Sequence, residues 1–185
     1  MDKQLAILNA ALPLFVANGF HGTPTSRVAQ EAGVSNGTVF HYFKRKDDLV
    51  IALYNHVKDQ LAAHLAACLN PSAPVAEQFR VLFIESVNWA LQQPQAMFYI
   101  QQFHFSPHLT QLSAEVIHEQ TRLHRALIQR GLAGGILKPL PEALIFTLVS
   151  SQVFGTYQYA AALSGEARQQ AIRQSCDLLW DALTL

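Results

Sequence analysis

The stretch Ala32-Gly33-Val34-Ser35-Asn36-Gly37-Thr38-Val39-Phe40-His41-Tyr42-Phe43 decides how this chain is read. Residues 33–37, Gly-Val-Ser-Asn-Gly, fit G-x-S-x-G, the elbow that holds a nucleophilic serine at a strand-to-helix turn. The same residues fit the turn and second helix of a helix-turn-helix. The flanks separate the two readings. An elbow needs a strand before the serine, but Thr25 to Ala32, TSRVAQEA, has no β-branched run and reads as a helix. No segment of the chain alternates convincingly as a strand, so no parallel sheet exists to carry an elbow. The helix-turn-helix accounts for the same residues without a conflict.

Working outward, each residue has a physical reason to be where it is. Thr23-Pro24 predicts a helix start, with Thr23 as cap and proline pre-organised for the first helical position. Val28, Ala29 and Ala32 form the inner face of that helix. Gly33 ends it in the left-handed conformation. Ser35 then caps a very short third helix. Val39 and Phe43, four residues apart, turn inward together. Gly37, Thr38 and His41 therefore share the outward face, with Tyr42 on its flank. Glycine is a poor helix former, and it makes sense here if backbone must approach another surface closely. Small polar groups, an imidazole and a phenol suit base edges and phosphates. Lys46-Asp47-Asp48 opens a fourth helix, with acids where the helix dipole favours them. Upstream, Leu5, Leu8, Leu12 and Phe15 mark the apolar face of a first helix that stops at Asn18-Gly19. Pro13 inside it predicts a kink near Asn9.

The charge pattern points the same way. The 185-residue chain is half apolar, enough for a real core, and its formal net charge is zero. Between Phe20 and Lys46, however, Arg27, Lys44, Arg45 and Lys46 stand against Glu31, 4 − 1 = +3, while residues 61–185 carry 7 basic and 8 acidic groups, −1. The two cysteines, Cys68 and Cys176, are no disulfide framework and suit a reducing cytoplasmic setting. The N-terminus does not read as a signal peptide.

The rest of the chain is also helical. The fourth helix is expected over 46–69, before the break Asn70-Pro71-Ser72-Ala73-Pro74. Helices follow over 75–92, from Pro94 to Phe105, on to Arg130, then over 142–163 and 166–183. Ala143 to Leu163 has no charged residue and is long enough for a membrane, but Thr147, Ser150, Ser151, Gln152, Thr156 and Gln158 interrupt it. A helix buried on nearly all sides, with no membrane partner, is the expectation. Histidine spacing suggests no metal site: Pro107 separates His104 from His108, and His118-Glu119 is followed by Arg122 where a zinc motif needs histidine.

Thr25 to Leu49, TSRVAQEAGVSNGTVFHYFKRKDDL, resembles the DNA-binding domain of the TetR family of bacterial transcriptional regulators. The family pairs I/V-A-x-x-A-G-V-S with G-T-x-[YF]-x-[YH]-F and a downstream lysine, and the specific likeness covers roughly residues 4 to 55. The resemblance implies an all-α fold, with an N-terminal helix-turn-helix domain (1–48) and a C-terminal helical ligand-binding and dimerisation domain (49–185), joined by the fourth helix. It implies a homodimeric, cytoplasmic, ligand-responsive regulator, a repressor, whose third helix enters the major groove of a (pseudo)palindromic double-stranded operator. Thr25 and Ser26 would meet phosphates, Asn36, Gly37, Thr38 and His41 would face bases, and Tyr42 and Lys46 would hold the backbone. No catalytic residue, cofactor or metal is implied. Two departures stand out: Phe40 where the family often has tyrosine, and Pro13. The alternative is an all-α small-molecule binding protein or enzyme that uses only the C-terminal pocket.

In the C-terminal part, Thr147, Ser151 and Gly155 make a smooth stripe at four-residue steps, and Ile172, Cys176, Leu179 and Leu183 an apolar one. Paired with their two-fold mates, these helices would form a four-helix bundle. The candidate ligand residues are Phe83, Trp89, Phe103, His104 and Tyr157, with Trp89, His104 and Tyr157 favoured because each carries a polar tip that wants a partner. Scarce charged groups point to a small apolar or aromatic effector.

Overall fold

The computed structural model describes residues Asp2 to Leu185, and they are helical throughout. Helices α1 (Lys3–Gly22), α2 (Thr25–Glu31), α3 (Asn36–Tyr42) and α4 (Lys46–Cys68) are followed by α5 (Val75–Gln92) and α6 (Pro94–His104). A 3-10 turn (Pro107–Gln111) leads to α7 (Ala114–Ala133), α8 (Glu142–Ala161) and α9 (Gly165–Leu183). The extended backbone pairing among the described residues is an isolated bridge between Leu137 and Thr184.

The chain divides into two compact units, residues 1–60 with 93–117, and residues 61–92 with 118–185. Helices α4 and α7 each begin in the first unit and end in the second. In the first unit α1 packs on α2, α3 and α6. Its core holds Ile7, Ala11, Phe15, Val28, Val39, Leu49, Leu53, Tyr99 and Phe103, all buried. Phe15 stacks on Tyr99 at 6.2 Å between ring centroids, and Phe20 meets Tyr99 edge-on at 5.6 Å. The Tyr99 hydroxyl donates to the Val50 carbonyl at 2.9 Å, so the polar tip of a fully buried ring is satisfied. By length and composition α1 could cross a bilayer, but its apolar residues Ile7, Ala11 and Phe15 lie in this core.

The second unit packs α5, α8 and α9 on one another around Phe79, Leu82, Phe83, Val87, Ile145, Val149, Ile172 and Cys176. Trp89 is buried on α5, and Trp180 lies against this core with its ring 5.0 Å from Phe79.

Three local expectations need correction. Thr23 does not cap α2: its hydroxyl donates to the carbonyls of Leu14 (3.1 Å) and Gly19 (2.9 Å), and Pro24 occupies the cap position without a side-chain bond. The threonine is fully buried and spends its hydroxyl on the end of α1, where orphan carbonyls need donors. The non-helical residue inside α1 is Gly19 (φ 71°, ψ 170°), as its stop signal predicts, whereas Pro13 leaves helical dihedrals intact. Helix α8 is not buried on nearly all sides: Ile145, Val149, Thr156 and Ala160 face the core, while Leu144, Leu148 and Tyr159 are exposed.

Candidate nucleic-acid interface

Two seven-residue helices, α2 and α3, are set against each other by a turn made entirely of local signals. Gly33 sits at φ 65°, which any side-chain-bearing residue adopts only with strain. The amides of Gly33 and Val34 donate back to the carbonyls of Gln30 (3.2 Å) and Ala29 (3.0 Å), closing the end of α2. The Ser35 hydroxyl accepts from the Thr38 amide at 3.1 Å and starts α3. Val28, Ala29, Val39 and Phe43 are all buried, so α3 is anchored by one face and shows the other.

That free face carries Asn36, Gly37 and His41, all exposed. Tyr42 is 40% exposed and lies edge-on to the His41 ring at 5.3 Å, so it is a surface residue rather than core. Thr38 is half-buried, and its hydroxyl already pairs with Ser35 at 2.9 Å. A Cβ added to Gly37 would meet only the Ser35 Oγ, at 3.7 Å, an ordinary contact. Nothing within the fold demands glycine there.

Around this face lie Ser26 and Arg27, exposed on α2, with Thr25 half-buried beside them. Lys46 is half-buried at the start of α4, its Nζ 3.5 Å from the His21 carbonyl, and loss of solvent lowers its pKa. Arg45 pairs with Asp48 at 3.0 Å, and the pair raises the arginine pKa and lowers that of the aspartate. Two residues beyond the sequence-assigned set share the surface. Lys44 is exposed, and Phe40 exposes 40% of its ring from α3 itself. The positive run 44–46 was the signal for the first; nothing in periodicity singles out the second.

The ligand candidates do not converge. In the second unit a shallow apolar recess, with interior room of about 20 Å³, is lined by Phe79, Leu82, Phe83, His124, Leu127, Ile128 and Val149. Of the sequence-derived set only Phe83 lines it. Trp89 is buried on α5, and Tyr157 is half-buried against the core of the second unit. Phe103 and His104 belong to the first unit, where they hold Tyr54: its ring stacks on Phe103 at 3.9 Å and its hydroxyl meets His104 Nε2 at 3.0 Å. Burial pushes the Tyr54 pKa up to about 12, and burial together with the Lys58 charge lowers that of His104. The cavity set escapes sequence reasoning because α5, α7 and α8 supply it jointly.

The expected dimer surface is half exposed and half interior. Thr147, Ser151 and Gly155 lie exposed along α8, and a Cβ on Gly155 would meet nothing within 4 Å. Ile172, Cys176 and Leu179 instead fill the monomer core, at 0%, 1% and 8% exposure, so the α9 stripe they form is not open to a partner. The large apolar side chain that α9 leaves outside is Leu178, 69% exposed.

Comparison with known proteins covers nearly the whole chain. A family model described as bacterial regulatory proteins of the tetR family matches residues 7–53, and one described as a Tetracyclin repressor-like C-terminal domain matches residues 54–185. The HTH-type transcriptional regulator RutR of Escherichia coli (strain K12) is 33% identical over 156 residues, covering 80% of this chain and 71% of that protein. The crystal structure of a tetR family transcription regulator from Shewanella sp. PV-4 superposes with a TM-score of 0.91 at 30% identity, covering 100% of both chains. The transcriptional regulator FadR from Bacillus subtilis, solved in complex with stearoyl-CoA, shares the fold with a TM-score of 0.81 at 19% identity over 97% of this chain and 98% of that one.

Proposed function

The chain belongs to the TetR family of bacterial regulatory proteins and is a transcriptional regulator, and from that premise we propose a ligand-responsive repressor that binds a (pseudo)palindromic operator as a homodimer in the cytoplasm. The observation that carries the DNA-binding reading is the free face of α3. It is short, anchored by Val39 and Phe43, and offers a side-chain-free backbone at Gly37 next to His41 and Tyr42. Asn36, Gly37, Thr38 and His41 read base edges; Thr25, Ser26, Tyr42 and Lys46 hold phosphates. Thr38 reaches DNA only if its hydroxyl keeps or exchanges the Ser35 bond. Lys44 and Arg27 add charge without sequence information.

Two protomers pair through the exposed faces of α8 and α9, with Thr147, Ser151 and Gly155 in close contact and Leu178 as an apolar anchor. The pairing holds two copies of α3 about 34–36 Å apart, one helical turn of DNA. The effector is a small apolar or aromatic molecule, taken up where Phe83, Leu127, Ile128 and Val149 meet. The apolar lining suits an acyl chain, the class of ligand bound to FadR in its complex. Ligand pockets commonly measure about 300–1,000 Å³, far more than the room of about 20 Å³ inside this recess, so taking up an effector requires it to widen. That widening is the differential interaction a population shift requires, and α4, which runs from one unit into the other, carries it towards α3.

Fluorescence anisotropy on the DNA immediately upstream of the coding sequence, against a shuffled duplex, tests the reading. Tight binding to the native duplex alone, weakening steeply with salt, is expected. Equal weak binding to both duplexes, and to a genomic fragment library, overturns it. Stearoyl-CoA and free fatty acids are the first effector probes; release of DNA by none of a chemically broad panel overturns the ligand response alone.

A further inference from the structure

We propose that His64, Cys68 and Glu85 form a binding site for one zinc-class divalent cation, in the second unit and apart from the DNA-binding face. His64 and Cys68 are four residues apart on α4, so one helical turn presents both on the same side. Glu85 comes from α5. His64 Nε2 lies 3.1 Å from Glu85 Oε2, Cys68 Sγ lies 3.9 Å from the same oxygen, and Sγ and Nε2 are 4.0 Å apart. An ion held tetrahedrally at about 2.0–2.3 Å from nitrogen, oxygen and sulfur separates such atoms by about 3.3–3.6 Å. The triangle therefore closes on an ion with shifts of a few tenths of an ångström, within ordinary side-chain motion.

The chemistry of the set fits as well as its size. Thiolate, imidazole and carboxylate together suit Zn²⁺ better than the all-oxygen sets taken by Mg²⁺ or Ca²⁺. The His64 Nε2–H and the Cys68 S–H both donate to Glu85 Oε2. A cation replaces both hydrogens: the thiol proton leaves to solvent, and the imidazole carries its proton on Nδ1. The other carboxylate oxygen, Oε1, accepts from Asn88 Nδ2 at 3.1 Å, which fixes the plane of the carboxylate before any ion arrives. His64 and Glu85 keep 29% and 28% of their side-chain surface in solvent and Cys68 is exposed, so an ion can enter and take water as its fourth ligand. The site ties the last turns of α4 to α5. The histidine pairs visible in sequence do otherwise: His108 bonds Asp47 at 3.0 Å and His104 bonds Tyr54. The new site escapes a sequence search because its third ligand lies 17 residues further on, on another helix.

Chelator-treated, tag-free full-length protein titrated with Co²⁺ tests the proposal. One Co²⁺ per chain is expected, with tetrahedral visible bands and a near-ultraviolet thiolate charge-transfer band, both bleached by Zn²⁺. Cys68→Ser should abolish the charge-transfer band and His64→Ala should lower affinity by at least about 10-fold, with far-ultraviolet circular dichroism unchanged. Asn88→Ala, which removes no ligand, should weaken binding by about 10–100-fold. Cys176→Ala should leave every signal in place. No charge-transfer band in the wild-type chain, or a band that survives Cys68→Ser, overturns the site. Neither result bears on operator binding, which is measured without added metal.

Discussion

Gly37 is the residue at which fold and function can be separated most cleanly. Its replacement by alanine meets no obstacle inside the protein, and alanine favours a helix over glycine by up to about 1 kcal/mol. Gly37→Ala is therefore expected to match or exceed the wild-type Tm and yet lose operator affinity; a thermal melt paired with anisotropy decides it. His41 and Lys46 divide the labour differently. His41→Ala should relax discrimination between operator and mutated operators, while Lys46→Ala should weaken all duplexes alike and make the salt slope shallower by about 1 per subunit. Ser35 has neither task, but its hydroxyl starts α3, so Ser35→Ala should cost about 1 kcal/mol in chemical denaturation.

At the level of whole elements, what could be read in sequence was what is determined locally. The ends of α2 and α3 follow from Gly33 and Ser35, and their faces follow from Val28, Val39 and Phe43, because caps and four-residue spacing act within one turn. Helix α9 shows the opposite case. Ile172, Cys176 and Leu179 and, on the other side, Leu178 are all apolar, and periodicity cannot tell which row meets α5 and α8 and which meets a partner. Tertiary packing decides, and it buries the first row. Thr23 does not cap α2 because its hydroxyl is already bonded backwards, to the carbonyls of Gly19 and Leu14 at the end of α1. A test follows from the surviving rows. If the proposed dimer forms through these faces, Gly155→Arg on α8 or Leu178→Glu on α9 should convert it to monomer in sedimentation velocity with little loss of helicity. Ile172→Ala should instead cost about 2–5 kcal/mol of stability.

For the molecule as a whole, the two buried tyrosines of the first unit, Tyr54 and Tyr99, both with pKa raised by burial, set an alkaline limit. Tyr54 ionises near pH 10 when unfolded and near 12 when folded. A group with a raised folded pKa supports the fold fully below pH 10, and that support is lost as pH rises towards 12. Stability measured by urea titration should thus fall across pH 10–12, and fall less in Tyr54→Phe. The division into two units also gives the chain a built-in spectroscopic asymmetry. Both tryptophans, Trp89 and Trp180, belong to the second unit, and the first has none. Indole emission accordingly originates in the second unit alone, whereas far-ultraviolet ellipticity sums over both. Melting curves recorded by the two signals coincide only if the units unfold as one cooperative block. An ellipticity loss that precedes the indole red shift would show the DNA-reading unit coming apart while the other still stands.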